Sequence, residues 1–276
     1  MLGILFALTS SFVWGAADFS GGFATRRSNQ FQVLALSALS GIVILAVCAF
    51  LWRETFPAWR SLIWAMLAGL AGAVGLAALY RALSIGNAAS VAPTAAVIGA
   101  ALPVAFGIFV EGLPSSERLA GFALAFLGIW LVSRSTTTES LVSRQGFWLA
   151  CLAGIGFGGF FILIAQVEPG KILTPLIATR AVEFCIALLL IRVNRLPLPS
   201  LISNPVALLA GVLDVGGNVF YLLAKQFIRL DVAAVLSSMY PATTILLASI
   251  VYRERVSRNQ GIGVLVCLAA IALIMI

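Results

Sequence analysis

The chain has 276 residues, 62% of them hydrophobic and only 10% charged, with a formal net charge of +7. A water-soluble domain carries about 25% charged residues, so a soluble fold is excluded: its core could not hide this much apolar surface. The basic excess is assigned to loops facing anionic lipid or cytoplasm; no nucleic-acid-binding module is present, and no nucleic-acid partner is expected.

In chain order, apolar runs fall at 2–22, 31–52, 60–80, 88–110, 118–133, 146–166, 172–191, 204–224, 232–252 and 259–276. A helix needs about 20 apolar residues to cross the hydrocarbon core, whereas a barrel strand needs about 10 with alternating polarity. These runs are long and do not alternate, so they predict helices, whose backbone polar groups are satisfied internally. The first run has no basic segment before it and continues past any plausible cleavage site, so it reads as a span and not a signal peptide. Cys48, Cys151, Cys185 and Cys267 each lie inside an apolar run, without paired spacing, and read as small buried packing residues. There is no histidine, which removes the commonest metal ligand and proton shuttle. No metal, cofactor or catalytic set is expected.

The longest polar break, Arg134–Arg144, divides the runs into five and five. A shift of 143 residues aligns Gly3 with Gly146, Ala7 with Ala150, Gly15 with Gly158, Leu79 with Leu222, Ala105 with Ala248 and Glu111 with Glu254. The last pair is the most telling, because both acids close a long apolar run. Five is odd, so two such units in one chain lie in opposite orientations. The expected fold is an all-α integral membrane protein of ten transmembrane helices arranged as two inverted five-helix repeats, 1–135 and 136–276, with a substrate site between them near the midplane.

Charged and polar residues inside spans are costly in lipid and are therefore candidate functional groups. Trp14 and Asp18 share a face of the first span and suit an amine or aromatic substrate; the alternative is an Asp18 solvated at the span end or paired with Arg26 or Arg27. Arg180 and Glu183, three residues apart, form either a structural ion pair or a site in which Arg180 takes a substrate carboxylate and Glu183 carries a proton. Asp214, Asn218 and Tyr221 make one polar stripe beside Gly216 and Gly217, for substrate contact or for interhelical hydrogen bonds. Tyr80 is an interface anchor or a cavity wall, and Arg81 snorkels. Pro93, Pro103 and Pro241 bend or open helices, and Gly69, Gly72 and Gly75 form a close-packing face.

Three stretches carry a family resemblance. The first span reads Trp14-Gly15-Ala16-Ala17-Asp18-Phe19, then Gly21-Gly22 and Arg26-Arg27. The ninth reads Ser237-Ser238-Met239-Tyr240-Pro241-Ala242-Thr243, followed by Glu254-Arg255 and Gln260-Gly261. The first half holds Gly86-Asn87-Ala88-Ala89-Ser90-Val91-Ala92-Pro93 and Glu111. In order and spacing these resemble the EamA-type members of the drug/metabolite transporter superfamily, over essentially the whole chain. The resemblance implies a secondary transporter, often an exporter, of amino acids or similar small metabolites in the cell membrane. Its partners would be a small-molecule substrate, the lipid bilayer and protons as a coupling ion, acting as a monomer or homodimer. It also implies cytoplasmic termini, whereas the basic residues favour the opposite. Arg53, Arg60, Arg118, Lys171, Lys225 and Arg229 would lie on the side of the N-terminus, against the larger set Arg26, Arg27, Arg81, Arg134, Arg144, Arg192, Arg195, Arg253, Arg255 and Arg258. The competing functions are a passive facilitator and a membrane-embedded enzyme. The latter is disfavoured by the lack of histidine, of metal-ligand spacing and of a GxSxG motif, and no GxxxxGK[ST] nucleotide loop is present.

Overall fold

A computed structural model describes residues 1–85, 88–133, 144–251 and 257–275. Among them the chain is all-helical: α1 Leu2–Ala24, α2 Gln30–Trp52, α3 Trp59–Ile85, α4 Ala88–Glu111, α5 Ser116–Ser133, α6 Arg144–Ile164, α7 Leu173–Val193, α8 Pro205–Phe227, α9 Leu230–Ser237, α10 Tyr240–Val251 and α11 Arg258–Ile274. Local sequence sets several starts. Asn29 with Gln32, and Ser257 with Gln260, form capping boxes that satisfy orphan N–H groups. Asn204 accepts from the Ala207 N–H, and Pro205 occupies a first-turn position that needs no donor. Eight helices are long and apolar enough to cross a membrane, with α9 and α10 counting as one. Phe50, Trp52, Phe109 and Ile202 are exposed, as lipid contact requires of a protein built from such helices.

The ninth apolar run, 232–252, is broken into α9 and α10 beside Pro241, one of the prolines expected to bend or open a helix. The Met239 N–H turns back to the Leu236 carbonyl at 3.3 Å in place of the usual four-residue bond, and Pro241 has no N–H to continue the ladder. Hydrophobicity carries no trace of such a break; the proline does.

The main helix pairs are α1 with α8, α3 with α6, α5 with α11, and α2 with α7. In addition α4 packs on α6 and α10 on α1, and α2 meets α8 as α7 meets α3. Small residues let backbones approach. A methyl placed on Gly156 of α6 would stand 2.5 Å from the Gly75 Cα of α3, and one on Gly69 would meet the Thr179 carbonyl oxygen at 2.5 Å. The expected close-packing role thus holds at Gly69 and Gly75; Gly72 faces Phe160 and Glu183 at ordinary contact distance.

The end at which α1 begins is tied by polar contacts. Arg229, between α8 and α9, pairs with Asp231 at 2.8 Å and donates to the carbonyls of Glu111 and Gly112, at 3.0 and 2.6 Å. Lys225 reaches Glu111 at 3.3 Å. Glu111 is therefore structural, as its position closing a span suggests; its counterpart Glu254 lies outside the described residues. At the same end, Lys171 bonds the Thr55 carbonyl and hydroxyl. Glu54, in the loop after α2, accepts from the N–H groups of Ile172, Leu173 and Thr174 at 2.8, 3.1 and 2.6 Å, capping α7 from across the chain.

Partial burial pushes the Glu54 carboxyl upward, but the donors of Ile172, Thr174 and Leu173 outweigh it and hold it below the usual glutamate range. A depressed carboxylate stabilises the fold above its ordinary pKa and loses that contribution as pH falls through its folded value. Glu54→Gln is expected to lower stability at neutral pH by about 1 kcal/mol, discounted because the group is half-exposed. In detergent the gap in Tm between variant and wild type should narrow as pH falls below 4.5; a gap that stays constant to acid pH would contradict the capping role.

Candidate functional site

Residues of eight helices, α1–α4, α6–α8 and α10, line a cavity of about 470 Å³. Its lining runs from mid-helix to the end where α1 finishes: Trp14 to Thr25 on α1 and its cap, Val33 to Ser37 on α2, Gly72 to Leu79 on α3, Ala95 to Gly99 on α4. Toward the opposite end the bundle is filled by α9, every residue of which is buried.

At mid-depth stands an ion triad. Arg180 is 4% exposed and Glu183 7%. One guanidinium nitrogen, NH1, lies 2.6 Å from Glu183 and 2.5 Å from Asp214 of α8. The three-residue spacing puts Arg180 and Glu183 on one face of α7, and α8 brings the second acid. The arginine stem passes Gly41 of α2, where an added methyl would crowd Val215 and reach the Arg180 Cδ at 3.5 Å. Thr179, one residue before, donates to the Ala65 carbonyl at 2.9 Å and ties α7 to α3.

Trp14 forms part of the floor. Its indole lies flat on Gly217, where any side chain would overlap the ring. Ser10 donates to the Gly217 carbonyl at 2.8 Å and locks the same seam. Phe161 meets the Trp14 ring edge-on at 5.4 Å. Gly15 admits α10: an added methyl would stand 2.5 Å from Thr243 and 2.7 Å from the Tyr240 carbonyl oxygen. The Trp-Gly pair thus has a physical role, in which the tryptophan faces the cavity and the glycine lets the broken helix reach it.

Of the residues expected at the site, Trp14, Asp18, Arg180, Glu183, Asp214 and Asn218 line the cavity together. Asp18 is exposed to it. Among the described residues neither Arg26 nor Arg27 pairs with Asp18, and Arg27 sits over the Phe23 ring at 5.3 Å. Asn218 donates to the Asp214 carbonyl one turn back at 2.7 Å. Tyr221 does not reach the lining. It is fully buried behind Trp14 and Phe161, and its hydroxyl donates to the Phe161 carbonyl at 2.9 Å. The Tyr80 side chain lies outside the described residues. Two lining residues were quoted only as motif letters, Ser238 and Tyr240. Both are brought to the cavity by the α9–α10 break, and the signal that could have found them was Pro241.

The sequence model of the EamA-like transporter family matches residues 1–134 and again 144–276. No curated protein matches. Among solved structures 29 chains match. One is a crystal structure of a protein with 18% sequence identity; the superposition covers 98% of this chain and 95% of that one, with a TM-score of 0.77. At that identity the likeness concerns the fold alone.

Removing one partner of a buried ion pair leaves an uncompensated charge and costs about 3–5 kcal/mol. Arg180→Met is therefore expected to destabilise strongly, read as a loss of Tm and of monodisperse yield. Adding Glu183→Gln should restore part of that loss. A double variant no more stable than the single would mean that the triad does not couple the two residues.

Proposed function

We propose, because the chain belongs to the EamA-like transporter family, that it is a secondary transporter exporting a small metabolite of the amino-acid or amine class across the cell membrane by alternating access. It is a multi-pass membrane protein of a family that moves small molecules. The observation that carries the finer reading is the charged cavity: Asp18, Arg180, Glu183 and Asp214 face one space inside an otherwise apolar bundle. A merely structural bundle gains nothing from four charges in hydrocarbon.

Three features support alternating access by two opposed halves. The family model matches twice, over two consecutive segments of similar length. The helix pairs exchange under the swap of halves: α1 on α8 becomes α6 on α3, α2 on α8 becomes α7 on α3, and α5 on α11 and α2 on α7 map onto themselves. The cavity lining extends toward one end, while α9 and the Arg229–Glu111–Asp231 contacts close the other. A site reached from one side and shut from the other is one half of a rocking cycle, and the shut end argues against an open channel. One chain encloses the whole cavity, so a monomer suffices as the transporting unit. Energy would come from an ion gradient, with protons exchanged at the cavity carboxylates.

The test uses purified protein in proteoliposomes, with a substrate first found by thermal-shift screening of amino acids and amines. Saturable uphill flux driven by an imposed proton gradient is expected, and Glu183→Gln should flatten its pH dependence. Strictly downhill, unsaturable flux would overturn the transporter reading. An unchanged pH profile in Glu183→Gln would remove that residue from coupling.

A further inference from the structure

We propose that the cavity is selective for organic cations: an ammonium group carried on an aromatic or apolar body, taken in preference to the matched zwitterion and far in preference to the matched carboxylate. This rests on the transport reading only in that the same cavity is the translocation site; the recognition itself is a binding property.

In sequence, Arg180 is a candidate to hold a substrate carboxylate. The structure gives it another occupation. Its NH1 is shared between Glu183 at 2.6 Å and Asp214 at 2.5 Å, so the one guanidinium among the described lining residues is already matched by two carboxylates. The third, Asp18, stands across the same space and makes no ion pair or hydrogen bond among the described residues, although it is exposed to the cavity. Among the described lining residues three acids against one base leave the wall acidic. An entering anion meets a guanidinium whose charge two carboxylates already answer, with a third acid, Asp18, on the same lining to repel it; the donors still open to it, Nε and the second terminal nitrogen, belong to a charge already neutralised.

A second observation is independent of charge. Asn218 is 1% exposed and lines the cavity, and its Oδ1 has no donor among the described residues. Its amide orientation is fixed, because the nitrogen is the atom that donates to the Asp214 carbonyl, which leaves the oxygen as the free group. An unmet buried acceptor and an unmet carboxylate on one cavity lining call for a donor-rich, acceptor-free ligand, and an ammonium is that group. The rest of the wall fits the same body: the rings of Trp14, Phe160 and Tyr240 line the space, and aromatic faces attract cations as well as apolar carbon.

The test is binding to the purified full chain in detergent, by calorimetry with thermal shift as a second readout. It uses matched triples that differ only in the charged group: phenethylamine, phenylalanine and 3-phenylpropionate, with the corresponding indole and butyl series. The amine of a series should bind tightest and the acid weakest, with amine and acid separated by roughly tenfold or more. Asp18→Asn should weaken the amine by about tenfold and leave the acid unchanged or improved, while Asp18→Glu keeps the order. Zwitterion or acid binding as tightly as amine overturns the proposal, as does an Asp18→Asn protein, folded by its melting transition, that binds amine unchanged. No amine binding in any series overturns it as well. The ranking in wild-type protein decides even if no variant folds. Because no flux is measured, failure here leaves the proteoliposome result untouched, and failure of transport leaves the binding order readable.

Discussion

A guanidinium inside an apolar bundle persists only if its charge is answered on the spot. Arg180, 4% exposed on α7, imposes that condition on everything around it. Moving an isolated ion of this size out of water costs several kcal/mol even after relaxation, so Glu183 and Asp214 must reach it together. Glu183 comes from its own helix; Asp214 comes from α8. That fixes the rotation of α7 and α8 about their axes; beside the arginine stem α2 offers Gly41, where an added methyl would stand 2.7 Å from Val215 of α8.

The close approach that the triad needs comes from small residues and not from any attraction between apolar surfaces, since lipid is as apolar as leucine. Gly156 and Gly75 bring α6 onto α3, Gly217 accepts the Trp14 ring, and Gly15 accepts α10. The Glu54 carboxylate, reaching from the loop after α2 to the first N–H groups of α7, sets where that helix starts. The depth of Arg180 follows from it. A loop contact far from the cavity thus places the charge inside it.

The break between α9 and α10 supplies what straight helices cannot. A continuous helix would satisfy every backbone group internally and present only side chains. Interrupting it at Ser238 and Met239, with Pro241 unable to rejoin the ladder, brings Ser238 and Tyr240 to the cavity while α9 fills the opposite end with buried apolar residues. One local irregularity therefore serves both the binding wall and the seal.

Much of this was legible in the chain alone, because the bilayer reduces the fold problem to hydrophobic length and charge cost. Long apolar runs could only be helices, and Asp18, Arg180, Glu183 and Asp214 stood out as charges that hydrocarbon does not tolerate unpaired. The capping boxes at Asn29 and Ser257 are likewise local patterns. Partnership was not legible. Spacing along α8 puts Asp214, Asn218 and Tyr221 on one stripe, but only the packing of α1 and α6 against that stripe turns the first two into the cavity and buries Tyr221 behind Trp14. Spacing along α7 joins Arg180 to Glu183, but only the approach of α8 adds Asp214, leaving Asp18 without a cation among the described residues. The sequence by itself determined which residues lipid forbids from standing alone. The tertiary structure decided which of them answer one another, because side-chain pairing across helices depends on axial rotation and depth, and neither is written in the periodicity of a single helix.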